Sequence, residues 1–390
     1  MTARTDLSQS PQAQEAYAAL RSGDYREARR CLEALLAEAP GDATLSMAHA
    51  TACLNLADLE AALASVDQVL DRLPRNFAAL LLKGDILRGL GDERRAASFY
   101  LAAVHAAPPE GQRSPLVQAE IDRAQGLYRE SIAHYASFLE SRLDAAGLLT
   151  GPENRRYAEA IDILFNRRQI YFQQPEFFYF PGLPQVQFYE RQAFDWVPAL
   201  EAQTECFVPE AKAILEEDDG AFQPYLHAKA HTPRLNQTPL YDNVNWSACY
   251  LIREGEVVEA NARRCPRIMS ALKKVPLCDV DGKMPSVLFS LLRPRTRIEP
   301  HHGLFNTRLI CHLPLIVPDR CYLRVGNETR EWRKGEMLIF DDSIEHEAVN
   351  DSDELRVILL FDIWRPEFSD RDRDFVRSLF SAIAAYPDVG

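Results

Sequence analysis

Pro40, Pro74 and Pro108 stand 34 residues apart, and so do Ala28, Ala62 and Ala96. The pairs Gly23-Asp24, Ala57-Asp58 and Gly91-Asp92 keep the same interval. No local motif constrains the fold as strongly as this period. It makes a helix pair the unit, with small residues where the two helices cross and a proline after the second helix has ended. One such unit cannot bury its apolar face alone, but three stacked units can. Residues 1–110 are therefore expected to form a short helical solenoid.

Within each unit the crossing alanine is followed four residues later by an apolar side chain: Ala28 with Leu32, Ala62 with Val66, Ala96 with Tyr100. Through this spacing and the period the segment resembles the tetratricopeptide repeat. The early aromatic of that pattern is missing, and its glycine survives only as Gly84, with Ala16 and Ala50 in the other two units. The resemblance implies a concave face of the kind that holds a peptide or a partner protein. A plainer alternative is a set of helices that only buttress the second domain. In 111–174, LVQAEIDRAQGLYRESIAHYASFLESRL carries apolar residues at three- and four-residue steps, and LTGPEN separates it from a second helical run. This stretch reads as a helical cap or linker.

A formal charge of -13 over 390 residues excludes a broad phosphate-binding surface, so no nucleic-acid partner is expected. The eight cysteines show no CxxC pair and no short recurring interval, which fits a reducing compartment. The polar start MTARTDLSQSPQAQEAY has no apolar h-region, and no apolar run approaches the ~18 residues of a membrane span. A cytoplasmic protein with no membrane partner is expected. His227 and His231 are spaced i,i+4, a helical metal-binding interval, but no acidic general base stands between them, and a surface or core role is the simpler reading.

From Tyr171 onward helical periodicity gives way to aromatic and β-branched residues with frequent proline. NWSACYLI, SVLFSLL, TRLICHLPLIV, CYLRVG, EMLIF and ELRVILLFDIW read as strands, with VGNETR and RKGE as turns and SDRDRDFVRSLFSAIAAY as a closing helix. Residues 175–390 are expected to fold as a double-sheet jelly roll, a double-stranded β-helix of cupin type, so the chain as a whole is multi-domain α plus β. In RLICHLPL, alternation puts Arg308, Ile310 and His312 on one face and Leu309, Cys311 and Leu313 on the other. Arg356 stands alone in an apolar strand, where it requires an anion: a ligand's, or that of Asp341, Asp342 or Asp362.

His301, His346 and Arg356, each at or near a strand, describe a non-haem iron oxygenase. Two neutral imidazoles hold Fe(II) and leave positions for O2 and for the chelating end of 2-oxoglutarate, while a cation deeper in the barrel binds that molecule's far carboxylate. From about Phe180 to Glu367 the chain also resembles the aspartyl/asparaginyl β-hydroxylases, through SLLRPRTRIEPHHG, NTRLICHLPL, RVGNETREW, GEMLIFDDSIEHEAVN and LRVILLFDIWRPE. The resemblance implies His301 and His346 as iron ligands and Arg356 as the 2-oxoglutarate anchor. Ser290 and His312 would be hydrogen-bond partners of that molecule, and Arg308 a further contact. It also implies that the carboxylate usually found two places after the first histidine is absent: Gly303 stands there, leaving a vacancy for water. His302 is expected to point away from the metal, and Trp246 and the Asp341-Asp342 pair to shape the site from outside. One departure is Ile310, where the family often has a second arginine.

The expected activity is hydroxylation of the β-carbon of an aspartyl or asparaginyl unit in a peptide, a protein or an amino-acid-derived substrate. Two alternatives are a halogenase that seats halide at the vacancy, and a non-catalytic scaffold working through its repeats.

Overall fold

The computed structural model describes residues 7–217, 220–226 and 242–386. The His227/His231 pair lies outside the described residues. The chain divides into two compact units, Met1–Arg167 and Arg168–Gly390.

The first unit is a run of antiparallel helices: α1 (Pro11–Ser22), α2 (Tyr25–Glu38), α3 (Ala43–Asn55), α4 (Leu59–Arg72), α5 (Phe77–Gly89) and α6 (Glu93–Ala106), then α7 (Pro115–Ala145) and α8 (Arg155–Leu164). The recurring sequence pairs mark the turn inside each helix pair. Asp24, Asp58 and Asp92 cap the second helices, accepting from the backbone N–H of Glu27, Ala61 and Arg95 at 3.2, 3.2 and 3.0 Å. The residue before each cap is left-handed, with φ of +83° at Gly23, +59° at Ala57 and +79° at Gly91. Ala28, Ala62 and Ala96 are buried at the helix crossings. Gly84 is explained by its partner. A Cβ there would come within 2.6 Å of the Tyr100 ring, whereas the other units set Ala16 and Ala50 in register with the smaller Leu32 and Val66. The large ring therefore fits only because the facing residue is small.

Among the described residues the second unit has twelve strands: β1 (Phe188–Tyr189), β2 (Gln223–Pro224), β3 (Trp246–Arg253), β4 (Glu256–Val257), β5 (Val287–Leu292), β6 (Thr296–His301), β7 (Arg308–Ile316), β8 (Cys321–Val325), β9 (Glu328–Glu331), β10 (Leu338–Phe340), β11 (His346–Asn350) and β12 (Arg356–Trp364). They form an eight-stranded sheet, β1-β10-β7-β12-β5-β3-β2 with β4 on β3, and a four-stranded sheet, β6-β11-β8-β9. All these pairings are antiparallel. From β5 to β12 the chain passes back and forth between the two sheets, which is the jelly-roll topology.

Alternation assigns the faces of the large sheet. Leu309, Cys311, Leu313, Val357, Leu359 and Phe361 pack on helix Thr204–Glu217 through Phe207 and Ile214. The opposite face sends Leu288, Ile310 and Leu360 against Leu323, Val325 and Ala348 of the small sheet. Each fully buried side chain of this size contributes roughly 1.5–3 kcal/mol. The closing helix runs Asp370–Ala384 from a capping box of Ser369 and Asp372.

Two local expectations change. Part of the turn expected at VGNETR is the edge strand β9, hydrogen-bonded to β8. Its residues alternate between half-buried and exposed, as suits a charged sheet edge. In addition, β6 ends at His301, so Gly303 lies beyond the strand and does not share its face.

Candidate active site

The two histidines come from neighbouring strands of the small sheet. His346 opens β11 and pairs directly with His301 at the end of β6, and their ring centroids are 4.1 Å apart. Each ring is tied at Nδ1 to the carbonyl two residues earlier, His301 to Glu299 at 2.8 Å and His346 to Ile344 at 3.1 Å. That contact places the proton on Nδ1 and leaves Nε2 as the lone-pair nitrogen, the form a metal takes. Burial pushes the pKa of His301 down and that of His346 well down, so both rings are neutral in ordinary buffers. Among the described residues no third His, Cys, Asp or Glu joins them in a group suited to a metal ion.

Arg356 opens β12 on the facing sheet and is 1% exposed. Its Nη1 donates to the carbonyl and the hydroxyl of Ser290 at 3.3 and 3.4 Å, and its guanidinium carbon lies 4.7 Å from the centroid of the Trp332 ring. The three aspartates that might have neutralised it are engaged elsewhere. Asp341 pairs with Arg365 at 2.6 Å, while Asp342 and Asp362 pair with Arg308 at 3.1 and 2.9 Å. Burial pushes Arg356 down to about 9, the mark of a guanidinium without an anion. Its Nε, the Trp332 indole N–H and His312 Nδ1 are all buried without hydrogen-bond partners among the described residues. His312 is neutral as well, since burial and the nearby Arg356 drive its pKa well down. Such an arrangement is costly in an empty pocket and suited to a carboxylate.

Phe340 links the two halves, its ring 5.6 Å from His346 and 4.9 Å from His312. Trp246 lies 6.1 Å from His301 and stacks on Tyr225 at 4.2 Å. His302 is half-buried just past the end of β6. The structure thus brings His301, His346, Ser290, His312 and Arg356 to the space between the sheets. Arg308, expected to touch the cosubstrate, instead has its guanidinium committed to two buried carboxylates, and Ile310 belongs to the apolar cluster between the sheets.

The space beside Gly303 is taken by Asp342, whose carboxylate would collide with a Cβ at that position and whose carbonyl accepts from Gly303 N–H at 2.6 Å. Burial raises Asp342 to about 6 against the pull of Arg308. Sequence reasoning had placed this residue outside the site and overlooked Trp332, Tyr225 and Phe340. An acidic pair preceding EHE and a tryptophan ending NETREW were the available clues.

Comparison with known proteins agrees with this architecture. Residues 201–366 match the Aspartyl/Asparaginyl beta-hydroxylase family model, and 14–65 and 47–111 match the tetratricopeptide repeat. Human aspartate beta-hydroxylase domain-containing protein 2 is 30% identical over 54% of this chain and 55% of its own length. Human aspartyl/asparaginyl beta-hydroxylase is 31% identical over 45% of this chain and 22% of its own. The ornithine lipid ester-linked acyl 2-hydroxylase of Rhizobium tropici is 35% identical over 32% and 43% respectively. The chain therefore spans about half the length of the first of these relatives and less of the other two. Residues 201–366 thus carry the likeness to the aspartyl/asparaginyl β-hydroxylases, on a chain whose first part matches the tetratricopeptide repeat.

Proposed function

We propose that this protein is an Fe(II)- and 2-oxoglutarate-dependent dioxygenase that hydroxylates the β-carbon of an aspartyl or asparaginyl unit in a peptide, a protein or an amino-acid-derived substrate. The observation that carries the proposal is Arg356: a buried guanidinium whose three candidate acidic partners are all engaged elsewhere. The residues present fit the cofactors. Nε2 of His301 and of His346 would hold the iron, and the orphaned donors around Arg356 fit a dicarboxylate. When bound, Fe(II) with 2-oxoglutarate and O2 supplies oxidative decarboxylation to succinate and CO2, coupled to insertion of one oxygen atom into a substrate C–H bond.

The chain's own residues do the rest. Arg356 and Ser290 grip the far carboxylate, and His312, kept neutral, offers a hydrogen bond without adding charge. Phe340 and Trp246 set apolar rings beside the histidines. Ile310 is part of the apolar cluster between the sheets and brings no charge to it, so recognition of a charged unit has to come from other residues. The repeats offer a protein- or peptide-binding surface, and all eight cysteines are free thiols, which supports a cytoplasmic location.

The halogenase alternative loses support at Gly303. A halide would need the room that the Asp342 carboxylate occupies, and would meet its negative charge.

The test is calorimetric titration of 2-oxoglutarate with and without Fe(II) under nitrogen. It is followed by aerobic turnover with matched peptides, free amino acids and lipid-linked substrates, reading succinate and a product heavier by one oxygen. Metal-dependent binding together with a hydroxylated product is expected. The absence of metal-dependent 2-oxoglutarate binding would sink the proposal.

A further inference from the structure

The residues on either side of His346 are both acidic, and neither has a part in the chemistry above. Successive side chains on a strand point to opposite faces, so while His346 faces the inter-sheet space Glu347 faces out. Glu347 is nonetheless only 8% exposed. Its carboxylate is gripped from both neighbouring strands, by Arg324 of β8 at 2.5 Å and by Arg297 of β6. Arg324 also pairs with Glu345 at 2.9 Å, so one guanidinium holds both neighbours of His346. Arg297 reaches Glu299 at 3.7 Å, the residue whose carbonyl orients the His301 ring.

This ladder sits where the sheet itself is weakest. Among the described residues β6 is an edge strand and pairs with β11 alone. Pro300, immediately before His301, has no N–H to give, and the β6–β11 register slips between the pairs His346↔His301 and Ala348↔Ile298. Because each imidazole is tied to its own backbone two residues back, the direction of each Nε2 follows the path of residues 299–301 and 344–346. A site with only two protein ligands has no third arm to correct an error in that path.

We propose that Glu347 is a positioning residue for the metal: its carboxylate, clamped by Arg297 and Arg324, fixes β6 against β11 across the bulge and so sets the aim of His301 and His346. The proposal rests on the metal reading of the histidine pair given above.

The experiment titrates the full-length metal-free protein with Mn(II), by calorimetry and electron paramagnetic resonance, with thermal unfolding in parallel. Glu347→Ala is expected to raise the Mn(II) Kd on the order of tenfold, the usual effect of losing a group that orients a ligand, and Arg297→Ala to raise it less. Arg330→Ala removes a comparable pair of ion contacts on β9, at the other edge of the same sheet. It is expected to lower Tm without moving the Kd, which separates aim from general stability. A Glu347→Ala Kd within about twofold of the parent overturns the proposal. If that variant does not fold, Glu347→Gln decides by the same criterion. Failure of the parent protein to bind Mn(II) is a separate outcome: it removes the metal reading, and this inference with it.

Discussion

The eight-stranded sheet is buried on both faces, one against helices and the other against its partner sheet, and its central strands β5, β7 and β12 are almost wholly apolar. The four-stranded sheet packs one face on its partner sheet, and its outer face is tied by Arg297, Arg324, Glu345 and Glu347. The large sheet carries the buried guanidinium of Arg356, with Ser290 and His312, while the small sheet carries the histidine pair. One half of the candidate site is thus an isolated charge held in a rigid apolar wall. The other is a pair of neutral rings held by charges. The contrast sets an unpaired charge within apolar packing against two neutral rings on strands cross-linked by ion pairs.

The comparison can be broken most directly at the small sheet. His346→Ala removes one of the two rings, and metal affinity and hydroxylated product are expected to fall by well over about 100-fold, measured by Mn(II) calorimetry and product mass spectrometry. On the large sheet, two arginines should behave in opposite ways. Arg308→Met leaves Asp342 and Asp362 buried without their cation and is expected to cost about 3–5 kcal/mol in denaturant unfolding. Arg356→Met deletes a charge that has no acidic partner. It should leave the stability of the ligand-free protein unchanged or raised, while 2-oxoglutarate affinity falls by about 2–5 kcal/mol, roughly 30-fold or more. Equal destabilisation by the two substitutions would refute the distinction between a paired and a waiting guanidinium.

The smallest effect concerns pH. Asp342 is raised to about 6 in the folded chain from an ordinary 3.8, so the folded state binds the extra proton between those values. Its contribution to stability is complete below about pH 4 and is lost as pH rises through about 6. In metal-free protein the difference between the parent and Asp342→Asn should therefore change by about 3 kcal/mol at most across that window, with the parent losing stability as pH rises. A difference that stays flat with pH would show that Arg308 fully offsets the burial of this carboxylate.

The same contrast explains what could be read from the sequence. The helix pairs were legible because Pro40, Pro74 and Pro108 and the capping aspartates repeat with one period. β3, β5, β7, β8, β10 and β12 were legible as apolar runs. Of the strands that bring the histidines together, β6 and β11 mix charges with apolar residues because their outer face holds the ion-pair ladder, and periodicity alone does not separate them from loops. Arg356 stood out as a lone charge in an apolar strand, and His301 and His346 through the motifs that carry the family resemblance. The role of Asp342 did not, because an acidic pair at a strand end looks like a solvated turn until the fold shows Asp341 turned to Arg365 and Asp342 turned to Arg308. Trp332 was hidden for a related reason: nothing local indicates that an aromatic after a charged edge strand lies beneath an arginine 24 residues downstream, with 332 and 356 meeting only across the fold.

The contact between Asp342 and Gly303 also limits how this centre could be re-engineered. Grafting an acidic ligand onto position 303 to rebuild a three-pronged iron cradle would first have to evict Asp342, and Arg308 would then lose one of its two counter-ions. Crowding around the loop thus keeps a third carboxylate away from position 303 as much as the absence of a side chain does, and a redesign would have to replace 303, 308 and 342 together.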